Sequence, residues 1–343
     1  MRMITWILLV CLILTLSALL VWYTLSHEPY PPDIQYGVSF NTLYARELGL
    51  PWEEVYTAIL DDLQVRHVRL AAHWTMVAPE EGVWNFSELD TQVRLAEEYD
   101  TDIVLAIGRR LPRWPECHVP LWAQEKSWEE QKELLREYIR QIVTRYKDSL
   151  AIVYWQVENE PFLTVYAEEH CGKLDKAFLD EEIALVRELD PAHPVLVTDS
   201  GNLGMWYGAY RRGDSFGTSV YVYLWNEATG PLESILPPET YIAKRKLLEL
   251  FLGKKETMLI ELSVEPWLNV PVVDADIETQ FSRMSIEKFE KIITYARETR
   301  FQKQYLWGAE WWYWLKVHEG HPEFWERAQK LYAEQVVSTP ENS

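Results

Sequence analysis

Positive charge is scarce in this sequence. Lys and Arg number 33 against 53 Asp and Glu, a formal net charge of −20 over 343 residues. A nucleic-acid partner would demand a basic face, so that class is set aside. Cysteine is scarcer still, at three. Cys117-His118 and His170-Cys171 together offer a ligand set that zinc accepts. Adjacent Cys-His pairs do not readily turn both side chains onto one ion, however, and the spacing lacks a knuckle, so no metal is expected. No Gly-x-Gly-x-x-Gly turn follows any strand candidate, which argues against a doubly wound dinucleotide-type sheet.

What is present is apolar and aromatic. The chain is 48% hydrophobic and 25% charged, enough for a sizeable packed core. Seventeen tryptophans are on hand, and their broad faces serve either to fill cores or to stack on sugar rings. From Ile4 to Leu25 no charge interrupts a run of roughly the ~20 residues a bilayer span requires. Arg2 precedes the run and Glu28 and Asp33 follow it, so the reading is a transmembrane signal anchor over residues 1–26 with the body outside the cytoplasm. A cleaved signal and a secreted protein is the alternative. Residues 27–33, with Pro29, Pro31 and Pro32, read as a stiff spacer, 34–338 as one domain and 339–343 as a tail.

Within that domain eight apolar strand candidates alternate with helical stretches. They are Tyr36–Asn41, Val65–Trp74, Asp102–Gly108, Ala151–Tyr154 with the motif that follows it, Val195–Thr198, Asp214–Tyr223, Thr257–Leu262 and Tyr305–Trp311. Ser127 and Glu130 have capping-box spacing, so a helix is predicted to start there. Strand–helix alternation implies a parallel sheet, and eight units over about 300 residues suit a closed (β/α)8 TIM barrel. In such a barrel the loops after the strands build the site.

The fourth strand ends in Trp155-Gln156-Val157-Glu158-Asn159-Glu160-Pro161, where proline stops the ladder and leaves acidic residues on the rim. Asn159-Glu160-Pro161 resembles the acid/base motif of the retaining glycoside hydrolases on TIM barrels, with family 5-like and family 42-like glycosidases nearest. The resemblance implies Glu160 as acid/base on strand four and a nucleophile on strand seven, where Glu261 follows the apolar core residues. Glu265, four residues on with the same parity, is the competitor, a sugar ligand or a loop cap. The resemblance further implies that Arg69 holds the nucleophile ionised, that Asn159 meets a sugar hydroxyl and that Tyr221 hydrogen-bonds the nucleophile, with Tyr223 the fallback. Trp307 is the candidate floor under the reactive sugar, and Glu310 a substrate contact or an ion-pair partner.

Cys117 and Cys171 fall on the loops after strands three and four. Those loops neighbour each other on one rim, so a disulfide is expected if the domain is exported. The function implied is cofactor-free hydrolysis of a β-linked oligo- or polysaccharide with retention. A catalytically silent glycan-binding barrel and an envelope transglycosidase are the alternatives.

Overall fold

The computed structural model describes residues 27–165, 167–226 and 229–338, and residues 6, 11–12, 15–17 and 20–24 of the first 26. Eight parallel strands close into a barrel: β1 Gln35–Ser39, β2 His67–Ala71, β3 Asp102–Ile107, β4 Ile152–Val157, β5 Val195–Asp199, β6 Ser215–Val220, β7 Thr257–Ser263 and β8 Lys303–Trp307. Each strand pairs with its neighbours in chain order, and β8 closes on β1. The strands are buried on both faces, hence their continuous apolar runs. Val104, Tyr154, Leu196, Met258, Ile260 and Tyr305 fill the interior as a cluster of their own. The helices pack outside; the longest among the described residues, Trp128–Tyr146, starts at the expected capping box of Ser127 and Glu130.

Three expectations need correction. Most of the apolar run 4–25 lies outside the described residues, as does the 339–343 tail. Among the described residues no helix is long and apolar enough to cross a membrane, so the transmembrane helix is withdrawn from the fold. The eighth strand stops at Trp307 rather than Trp311. Gly308 takes φ 121°, a conformation glycine adopts without strain, and Ala309–Trp314 is then helical. Residues 27–33 are not a free spacer but are docked on the barrel: Arg245 pairs with Glu28, and Arg300 bonds the Glu28 carbonyl at 3.0 Å and covers the Tyr30 ring. After β6 the chain also makes an unpredicted hairpin, Tyr223–Asn226 with Gly230–Glu233.

One local irregularity positions the site. β7 carries one residue more than either neighbour over the same span: Thr218 and Ser219 pair with Leu259 and Glu261, while Gln304 and Leu306 pair with Leu259 and Leu262. Such a bulge breaks the in–out alternation and re-aims the side chains beyond it. Met258 and Ile260 face the interior, and the extra residue turns Glu261 inward as well. The Ile260 carbonyl accepts from Ser39 Oγ at 3.0 Å, which satisfies a group the ladder would otherwise hold.

Candidate active site

Arg69 organises the floor. It leaves β2, is 1% exposed, and spends its guanidinium on three side chains. Nε donates to Gln156 Oε1 at 2.8 Å, Nη1 to Glu261 Oε2 at 2.8 Å and Nη2 to Asn159 Oδ1 at 2.6 Å. One buried cation thereby ties β2 to β4 and β7. Tyr221, just beyond β6, donates its hydroxyl to the other Glu261 oxygen. Burial, and then the nearby charges of Glu261 and Glu160, push that phenol well above its usual range, so it stays a donor. Glu261 thus faces a cation on one oxygen and a hydroxyl on the other, an environment that suits a carboxylate.

Glu160 meets the opposite environment. It is 5% exposed; its backbone N–H is held by Thr198 Oγ1 at 2.9 Å, and its Oε1 is buried without a partner. Burial foremost, then the charges of Glu261 and Glu116, raise its pKa well above the ordinary carboxylate value. The chain reaches this arrangement through left-handed backbone at both Glu158 (φ 58°) and Glu160 (φ 42°), conformations that surrounding structure must impose. Glu158 supplies much of that: its carboxylate accepts the backbone N–H groups of Arg109 (2.6 Å) and Arg110 (2.7 Å). Residue 108 must be glycine for this contact, because a Cβ there would lie 2.4 Å from Glu158 Oε1.

Glu265 is occupied elsewhere. Arg113, from the loop after β3, grips it with Nη1 at 2.8 Å and Nη2 at 2.9 and 3.0 Å to the two oxygens, and Trp307 Nε1 donates at 2.6 Å. The Arg113 guanidinium is flanked by the Tyr44 ring (3.1 Å to centroid) and the Trp307 ring (4.7 Å). Because β3 and β7 are opposite in the ring, this pair forms a strut across the barrel mouth. Of the neighbouring indoles, Trp311 and Trp312 turn into the core, which leaves Trp307 at the strut. Glu310 enters from the helix after β8; its Oε1 accepts from the Asn41 N–H at 2.6 Å, and burial raises its pKa to about 7 against the pull of Arg113. Tyr223, the fallback for Tyr221, lies in the hairpin under Lys288.

Sequence reading missed the loop 108–118. It supplies Arg110, Arg113 and Glu116; Arg110 Nε meets Glu116 Oε2 at 2.5 Å, and Glu116 acts electrostatically on both Glu160 and Glu261. The signal was there: Gly108-Arg109-Arg110 follows an apolar strand as abruptly as Glu158-Asn159-Glu160 follows β4. The loop is fastened to the one after β4 by a Cys117–Cys171 disulfide with Cα atoms 5.4 Å apart, which removes both thiols from any metal-binding role. His73 was also missed; it is buried beside Asn41, and burial foremost pushes its pKa down to about 3, keeping the ring neutral.

The family model of glycoside hydrolase 42, described as beta-galactosidase, matches residues 51–246, more than half of the chain. The chain belongs to glycoside hydrolase family 42. Beta-galactosidase LacA of Lactobacillus acidophilus is 26% identical to this family member over 177 residues, 47% of this chain and 23% of that protein. Beta-galactosidase BgaA of Clostridium cellulovorans is 24% identical over 206 residues, 53% of this chain and 27% of that protein. The family 42 chain thus spans about a quarter of the length of these curated relatives. Among solved structures, xylanase 10B of Thermotoga petrophila superposes with a TM-score of 0.54 at 16% identity, over 89% of this chain and 95% of that one. A beta-galactosidase of Halorubrum lacusprofundi does so with 0.53 at 15%, over 80% and 52%. At such identities these structures speak to the barrel fold alone.

Proposed function

We propose that this chain is a retaining β-glycosidase working by double displacement, with Glu261 as nucleophile and Glu160 as general acid and base. The observation that carries the reading is the contrast between two carboxyls at one barrel mouth. Glu261 is held by Arg69 and Tyr221, whereas Glu160 is buried with an unpartnered oxygen and raised toward its neutral form. Environments that separate two carboxyls in this way supply a base and an acid at one pH.

The charge on Glu261 also times the reaction. While Glu261 is ionised it helps to keep Glu160 protonated, ready to give its proton to the leaving oxygen. Once Glu261 is esterified by the sugar its charge is gone, one cause of the raised pKa disappears, and Glu160 becomes a better base for the incoming water. Asn159, fixed by Arg69 and by its own N–H to the Arg110 carbonyl at 2.7 Å, is placed beside the acid to meet a sugar hydroxyl. The relatives' names make β-galactosides the first substrates to try. The disulfide favours an oxidising compartment as the place of work.

The test is Glu261→Gly assayed with an activated aryl β-glycoside and added azide. Restored release of the phenol together with an α-glycosyl azide is the expected result. An unaltered rate in that variant without azide would remove Glu261 from the reaction.

A further inference from the structure

The loop that carries Glu160 rests on a second carboxyl pair that the double displacement does not use. Glu158 receives the Arg109 and Arg110 N–H groups on its two oxygens. Behind it stands Glu182, on the helix Lys176–Leu189, 2% exposed and lining the same cavity, with its carboxyl set against that of Glu158. Two carboxylates cannot hydrogen-bond each other unless one keeps its proton, and bringing both into the interior charged would leave two adjacent like charges out of water. The geometry says which is the donor. Both Glu158 oxygens already accept from backbone N–H groups, whereas Glu182 Oε1 is buried with no donor in reach.

The surroundings relieve the pair only in part: the charge of Arg109 lowers both carboxyls and that of Arg136 lowers Glu182. Arg109 is the nearest cation, but its Nη1 is spent on the Cys171 carbonyl at 2.7 Å. Arg110 is engaged by Glu116 and by the Leu163 carbonyl at 2.9 Å. From the helix Trp128–Tyr146, Arg136 is paired with Glu133 and Glu181, and Tyr138 donates to the Ala72 carbonyl. Glu168, Lys173 and Asp175 line the same cavity, and Asp175 is tied to Lys132 at 2.9 Å.

We propose that Glu182 is a positioning residue for the acid/base loop: as a neutral carboxyl it donates to Glu158, holds that side chain on the Arg109 and Arg110 N–H groups, and lets the loop go when it ionises. The proposal rests on Glu160 being the acid/base. Its consequence is an alkaline limit on the site that belongs to neither catalytic carboxyl. Burial raises both members of the pair, and the Glu158 charge raises Glu182 further, whereas the contact with Glu182 lowers Glu158. The folded protein therefore keeps a proton that the unfolded chain has lost, and stability falls as pH rises from the ordinary carboxylate range toward the raised value.

Two measurements on the whole chain test this. The first is kcat for a 2,4-dinitrophenyl β-glycoside across about pH 5 to about pH 9: glycosylation is then fast, and the deglycosylation that limits turnover needs Glu160 in place as a base, a role its own ionisation does not remove. Glu182→Gln keeps a donor but cannot ionise, so the alkaline fall seen in the wild type should move up by about one pH unit or more. An alkaline limb that coincides in the two proteins overturns the proposal, because a residue that merely packs would alter the melting temperature without moving the limb. The second is the melting temperature over the same range, which needs no turnover. The wild type should lose stability with rising pH and Glu182→Gln should flatten that slope, with Glu158→Gln as the second variant. If neither flattens it the shared proton is absent and the proposal fails. If none of the proteins hydrolyses any glycoside while the slope still flattens, the assignment of Glu160 is what falls, and the positioning role falls with it.

Discussion

Glu261 and Glu265 leave the same barrel strand four residues apart, and each is gripped by one arginine and one aromatic donor. Arg69 and Tyr221 hold the first; Arg113 and Trp307 hold the second. The grips differ in origin and in consequence. Arg69 comes from a strand, and shares itself among three side chains, so Glu261 takes only one N–H from it. Arg113 comes from a loop and gives Glu265 three contacts between its two terminal nitrogens. Glu261 also stands within electrostatic reach of a second carboxyl, Glu160, whose pKa its charge helps to raise. Glu265 is clamped to an arginine of its own, whereas Glu261 shares its arginine with two other side chains. That is the lesson of the pair: like partners on like residues do not make like roles.

The comparison can be broken most directly at the two glutamates. Glu261→Gln should lower turnover by on the order of 10⁴-fold or more, whereas Glu265→Gln should lower it by no more than about tenfold, the equivalent of one lost hydrogen bond. Steady-state rates on one aryl glycoside decide it, and a larger loss at Glu265 would reverse the assignment. Next in size is Glu160→Gln, with an expected loss of about 10²–10⁴-fold for a poor leaving group. For a dinitrophenyl leaving group the same variant should glycosylate almost normally, so the two substrates must diverge if Glu160 is the acid.

Smaller effects sharpen the contrast through stability. Arg69→Met should destabilise by about 3–5 kcal/mol, because Glu261 would be left buried beside Glu160 without a counter-charge. Chemical denaturation measures this. Glu310 gives the mildest signal. Its folded-state pKa of about 7, against 4.5 for an ordinary glutamate, means that the native state holds a proton the unfolded chain releases. Stability should therefore fall between pH 4.5 and about 7, and Glu310→Gln should remove that part of the slope. A wild-type melting temperature that does not fall across this interval would show Glu310 already ionised.

Reading the chain alone located the strands well because a parallel barrel writes itself as apolar runs separated by amphipathic helices. It erred where one residue changes direction: Gly308 ends β8 early and puts Glu310 on a helix, which an aromatic run with good strand propensity concealed. It also left Glu261 and Glu265 on one parity. The bulge in β7 is invisible without its neighbours, because a bulge is defined by a mismatch of count between strands. Arg110, Arg113 and Glu116 were passed over for a related reason. A charged loop looks solvated until its partners are known, and besides the Arg110–Glu116 pair within the loop these are Leu163 beyond β4, Glu265 beyond β7 and Trp307 at the end of β8.

By itself the sequence determined the elements, their order, and the two acidic strand ends, because periodicity, proline and glycine act over a few residues. It also held the evidence for kinship, in Asn159-Glu160-Pro161 and the strand-seven glutamate. Only the tertiary structure decided that Glu160 is raised toward its neutral form while Glu261 meets a cation on one oxygen and a hydroxyl on the other. Protonation in an interior depends on burial and on charges brought together from distant strands. Glu160 owes its raised pKa to burial first and then to Glu261 and Glu116, the former more than a hundred residues away along the chain.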